Sequence, residues 1–186
     1  MTATVLTNIP DMKGSALGRW RSEEDGVALM EFVLIFPVMI TILFGVYDLG
    51  NGFLVNQKTI AASQIISDLV SRNVSLTEEQ LDDIIQAGQL AIQPYDLDSV
   101  GYDIVSVSFD EDDQPVAEWR RTVNMPENET AFNSSVALGD EGDGVIIVSI
   151  SYNYEPVFGG FVIDNIPMME TSFARGRRVP VVGLEE

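Results

Sequence analysis

The chain has 186 residues, with 10 Lys and Arg against 29 Asp and Glu and a formal net charge of −19. It contains neither Cys nor His, which excludes thiol nucleophiles, Ser-His-Asp triads, His general bases, disulfides and the usual zinc spheres. Three of the cations and four of the acids precede Val27, so the remainder carries −18, an acidic surface that repels nucleic acid and anionic headgroups.

Lys13, Arg19 and Arg21 stand before a run of 21 residues, Val27 to Tyr47, that holds one charge, Glu31. As a helix this run would span about 32 Å at ~1.5 Å per residue, close to a hydrocarbon core. Pro37 would kink a soluble helix but is tolerated in a membrane one. A run apolar on every face suits lipid better than a protein core. A cleaved secretory signal fits less well, because the run exceeds a typical h-region and no A-x-A site follows it. The cations lie on the N-terminal side, and Lys58 is the one cation within ~15 residues of the other end, so the positive-inside rule places the N-terminus in the cytoplasm. Asp48 and Asn51 mark the far side. The predicted organisation is a cytoplasmic leader over 1–26, a membrane helix over 27–50 and an exported domain over 51–186.

Helical periodicity continues past the membrane. Residues 54–72 keep Ile60, Ile66, Leu69 and Val70 on one stripe, with Ala62 and Ser63 allowing close approach, and Gly45, Gly50 and Gly52 are candidate bends. A second helix is predicted from Ser75 to Gln93. Ser75 with Glu78, or alternatively Thr77 with Gln80, forms its capping box, and Pro94 stops it. Leu81, Ile84, Ile85, Gly88, Ala91 and Ile92 repeat along it at helical spacing.

Beyond Pro94 the period changes. Tyr102 to Phe109 and Val116 to Val123 read as strands joined by an acidic turn over 110–115. Val145 to Tyr154 alternates most clearly, with Ile146, Val148, Ile150, Tyr152 and Tyr154 on one face and Ser149, Ser151 and Asn153 on the other. Met168 to Arg175 is a candidate last strand. Helices first and strands afterwards predict an α+β fold with an antiparallel sheet covered by helix on one face.

Oxygen ligands in Asp110–Asp113 and in Asp140, Glu141 and Asp143 would suit Ca²⁺, but neither cluster has EF-hand spacing, and acidic turns are usually solvated. Nothing places two carboxylates in a cleft, and no Gly loop cradles phosphate; Gly159-Gly160 reads as a turn before Phe161. No catalytic residue, metal ligand or cofactor is assigned. The run Arg175 to Arg178 is either a solvated tail or a contact for a neighbouring subunit's acidic surface.

Gly26 at the edge of the helix is small and flexible, accessible to a protease, and Glu31 lies only about 6 Å beyond Val27 at ~1.5 Å per residue. The order Gly26, four residues, Glu31, Phe32 resembles the processing site of Flp-type and TadE-like pilins. The continuation Phe32-Val33-Leu34-Ile35-Phe36-Pro37, then Leu43-Phe44-Gly45-Val46-Tyr47-Asp48-Leu49-Gly50, is similar to the TadE-like N-terminal segment. The likeness covers about residues 19–65; Tyr152 to Pro156 and the Arg175 to Arg178 run resemble the ends of such chains only loosely. The acidic Glu23-Glu24-Asp25 departs from the small or basic leaders common in that family.

The resemblance implies a pseudopilin or minor pilin of a Tad (Flp, type IVc) pilus, serving adherence and secretion. It implies cleavage by a prepilin peptidase between Gly26 and Val27, with Glu31 and Phe32 in peptidase recognition and subunit pairing. Implied partners are inner-membrane lipid, the peptidase, other Tad pilins and inner-membrane assembly proteins. The domain after the helix would then be periplasmic and pilin-like. An uncleaved, membrane-anchored periplasmic binding or sensor module is the alternative.

Overall fold

The computed structural model describes residues 24–160 and 164–185. The predicted leader cations Lys13, Arg19 and Arg21, and Phe161, lie outside the described residues. The chain divides into two units, Met1–Phe44 and Gly45–Glu186. One helix, α1 (Glu24–Ser71), runs without a break through Pro37 and the three glycines named above. After it come β1 (Ser75–Thr77), α2 (Glu78–Ile92), β2 (Val100–Phe109), β3 (Pro115–Val123), α3 (Glu129–Ser134), a 3-10 turn (Ser135–Ala137), β4 (Gly144–Tyr154), β5 (Ile166–Arg175) and β6 (Gly183–Glu185). The fold class is α+β.

In the first unit, the helix from Val27 onward is apolar apart from Glu31 and exposed apart from the half-buried Ile40. Pro37 has no N–H, so one carbonyl of the preceding turn has no ladder donor, and the Thr41 hydroxyl donates to the Pro37 carbonyl at 2.8 Å. The helix is long and apolar enough to cross a membrane, and none of its most apolar window is buried.

The second unit is built on an antiparallel sheet of order β3-β2-β4-β5. Side chains alternate across each strand, so even-numbered positions of β2 and β4 share one face. Tyr102, Ile104, Ile146, Val148 and Ile150 pack there with Val55, Ala62, Ile66 and Val70 of α1 and with Leu81, Ile85 and Ile92 of α2. The α1 stripe is completed by Thr59, Ser63, Ser67 and Ser71, whose hydroxyls donate to carbonyls three or four residues earlier. These small polar residues are therefore buried without orphaned donors. Ile66 and Val70 lie in the core as the periodicity predicts, whereas Ile60 and Leu69 are only half-buried. Gly88 is where α2 crosses α1: a Cβ there would fall 2.5 Å from Ile66 Cδ1.

The second helix starts three residues later than predicted. Ser75–Thr77 is extended and pairs in parallel with Gly183–Glu185, and the capping box uses Thr77 and Gln80, not Ser75 and Glu78. The polar connection between β3 and β4 contains α3 and the 3-10 turn. It covers the other sheet face, where Val105, Val107, Phe109, Val145 and Ile147 pack with Ala131 and Phe132. The sheet is thus buried on both faces at its centre, which explains why Ser149 is buried, although alternation alone would give it to solvent.

Candidate functional site

Gly26 and Val27 lie in the first turn of α1, and Glu31 and Phe32 follow about one turn later. All four are exposed, Val27 by 63 % and Phe32 by 56 %. The Phe32 and Phe36 rings are tilted against each other at a centroid distance of 5.3 Å. Glu31 is therefore a single carboxylate displayed on an apolar rod. At a bilayer centre it would cost about 2.5–3.5 kcal/mol, and less near the interface or when paired with a cation. The structure brings the predicted site residues together on one helix segment and buries none of them.

Asp48, the first charged residue after Glu31, is one of two acids buried among the described residues, with Asp103. Its Oδ1 accepts the amides of Val157 at 3.0 Å and Phe158 at 3.2 Å, and its Oδ2 accepts Phe158 at 3.0 Å and Gly159 at 2.6 Å. Its backbone carbonyl accepts the Tyr154 hydroxyl at 2.9 Å. One helix residue thereby holds the end of β4 and the turn after it. Three amides on one carboxylate make a strongly satisfied site, because hydrogen bonds to an ionised acceptor are about twice as strong as neutral ones. The sequence marks Asp48 as the far side of the apolar run and as part of the TadE-like stretch, but assigns it no partner. The loosely matching Tyr152 to Pro156 stretch was the one signal of a partner, since it leads directly into this turn.

Arg175 and Arg177 are not a free tail. Arg175 bonds the Leu138 carbonyl at 2.6 Å and pairs with Asp143 at 3.3 Å, and Arg177 pairs with Asp68 on α1. The Arg177 amide also donates to the Ser71 carbonyl at 2.8 Å, which supplies a donor to the C-terminal end of α1. Asp68 also bonds Arg72, which with Arg177 holds its carboxyl below the ordinary carboxylate value despite an opposing contribution from burial.

The acidic clusters are occupied by their own backbone. Asp110 Oδ1 accepts the amides of Asp112 and Gln114 at 2.9 and 2.8 Å, and Asp113 Oδ1 accepts the Glu141 amide at 2.9 Å. Among the described residues no three Asp or Glu converge as a metal site.

Comparison with protein families matches residues 26–66 to the family described as TadE-like protein. Neither the curated proteins nor the solved structures give a match. The matched segment begins at Gly26, includes Glu31, Phe32 and Asp48, and ends on Ile66 in the core of the second unit. Over residues 26–66, the exposed apolar helix and the first part of its packed continuation, the chain is similar to the TadE-like family.

Proposed function

We propose that the chain is a pseudopilin or minor pilin of Tad pilus assembly, with a structural and not a catalytic role. It is anchored in the bacterial inner membrane by the helix over 27–50, with residues 1–26 cytoplasmic and the domain from residue 51 periplasmic. A prepilin peptidase cleaves between Gly26 and Val27. Glu31 becomes the fifth residue of the mature chain and pairs, within the membrane or the filament, with the new α-amine on Val27 of a neighbouring subunit. Phe32 stands beside it in peptidase recognition and subunit contact.

The observation that carries this reading is a lone carboxylate, five residues after Gly26, on an apolar helix segment with none of its most apolar window buried and a sequence similar to the TadE-like family. A carboxylate in an apolar environment is stable only when paired, and an α-amine with an ordinary pKa of about 7.7–8.0 supplies the missing positive charge.

Two variants test it in cells that also carry the peptidase and the assembly proteins. Gly26→Ala blocks processing, whereas Glu31→Ala is processed but impairs assembly. Equal processing and assembly in both variants would remove the site assignment and favour the uncleaved anchored module.

A further inference from the structure

The surface around Asp48 has a second character. Asp48 closes an uncharged run of residues that begins at Phe32, so the turn tied to it belongs to the end of the apolar helix. That turn displays Val157, 68 % exposed, and Phe158, whose ring meets Tyr47 edge to face at 5.4 Å. On one side of it, an apolar cavity of about 480 Å³ is lined by Leu49, Gly52, Phe53, Pro156, Ile166 and Met168, with Leu49 and Phe53 mostly exposed. On the other side, Tyr47, Tyr95, Tyr152 and Tyr154 line a second cavity of about 360 Å³. These are four of the five tyrosines in the chain.

We propose that this surface is a lipid-contacting wedge. Val157, Phe158, Leu49 and Phe53 sit with Tyr47 in the outer edge of the acyl region, and Tyr95 occupies the headgroup layer. Three features select lipid as the occupant. The surface is continuous in sequence with a helix long and apolar enough to span a bilayer. Tyr47, which is exposed, and Tyr95, which is half-buried, reach the surface there, and tyrosine is a residue that membrane–water interfaces favour, whereas Tyr152 and Tyr154 back them from the core. Its irregular backbone, which could not face hydrocarbon with bare amides, has three of them on the Asp48 carboxylate. Asp96 and Glu155, which share the tyrosine cavity, limit the depth by remaining in water. The wedge would fix the tilt of the domain against the membrane. It rests on the membrane anchor in the proposed function but not on cleavage or on the pilus.

The absence of cysteine allows a direct test. Single variants Val157→Cys, Phe53→Cys, Leu34→Cys and Glu111→Cys of the full chain are nitroxide-labelled and reconstituted in phosphatidylcholine vesicles. Collision with lipid-soluble oxygen is then compared with collision with a water-soluble nickel chelate. Positions 157 and 53 are expected to show an oxygen-to-nickel ratio several-fold above that of position 111, approaching that of position 34. A ratio at 157 and 53 equal to that at 111, with position 34 still in lipid, overturns the wedge and leaves the anchor standing. Shielding from both reagents with dipolar broadening also overturns it, in favour of a second copy covering the surface. A water-exposed position 34 removes the anchor and the wedge together.

Discussion

Asp103 and Arg120 meet through two parallel hydrogen bonds, Nε to Oδ1 at 2.9 Å and Nη2 to Oδ2 at 2.8 Å, on the sheet face covered by the β3–β4 connection. Asp103 is only 2 % exposed and also accepts the Asn128 amide at 2.7 Å, while Arg120 Nη1 reaches Glu127 and Glu129 at 2.9 and 2.7 Å. Asn128 in turn caps α3 by accepting the Ala131 amide and donates to Ser149. The pair thus pins the start of α3 to the sheet, and Asp103 raises the guanidinium pKa further above its usual value.

Breaking a buried pair leaves one charge uncompensated, at a cost of about 3–5 kcal/mol. Arg120→Met is therefore expected to destabilise the second unit by about 3 kcal/mol, and the double variant Asp103→Leu/Arg120→Met by less than the sum of its singles. Urea unfolding in detergent micelles, followed by Trp119 fluorescence in a Trp20→Phe background, measures both.

Asp48→Ala strips one acceptor from three amides. The predicted effect is local: Val157, Phe158 and Gly159 lose hydrogen-exchange protection, whereas Ile146 to Ile150 in β4 keep theirs. Unchanged exchange at the three amides would show that the turn is held by something other than Asp48.

Tyr102 Oη is buried, with Gln89 as its polar neighbour but beyond hydrogen-bond geometry, and burial pushes its pKa from 10.0 up to about 12. A raised acid pKa favours the protonated folded state. Its contribution is full below pH 10 and is lost as pH rises toward about 12. Tyr102→Phe is expected to be neutral or stabilising by about 1 kcal/mol at pH 7, since it deletes an unsatisfied buried hydroxyl. It should also make the alkaline loss of stability shallower; Tyr152 and Tyr154, raised in the same direction, supply the rest.

The acid limb has the opposite sign. Because Arg72 and Arg177 lower the Asp68 pKa, its contribution is present above the ordinary carboxylate value of 3.8 and is lost as pH falls through the lower folded value. Asp68→Asn should remove that part of the acid dependence. The cost at neutral pH should be small, because both arginines are mostly exposed.

Features with a local period were legible in the sequence. The apolar run, the stripe through Ala62, Ile66 and Val70, the helix of Leu81, Ile85, Gly88 and Ile92, and the alternation of Ile146 to Tyr154 each repeat within one element, and the structure has each of them. What was hidden depends on partners far apart in the chain. The Asp48 turn joins residues more than 100 positions apart, as do β1 with β6 and Asp68 with Arg177. The cover over Ser149 was hidden for a related reason. A short helix capped by Asn128 has too few turns to show a period, so a doubly buried strand resembled a half-exposed one.

The most direct measurement is the intact mass of the membrane-extracted chain, expressed with and without its prepilin peptidase. Cleavage after Gly26 predicts a species beginning at Val27 only when the peptidase is present, and its loss in Gly26→Ala. A single species that keeps residues 1–26 in cells that assemble functional pili would contradict the account.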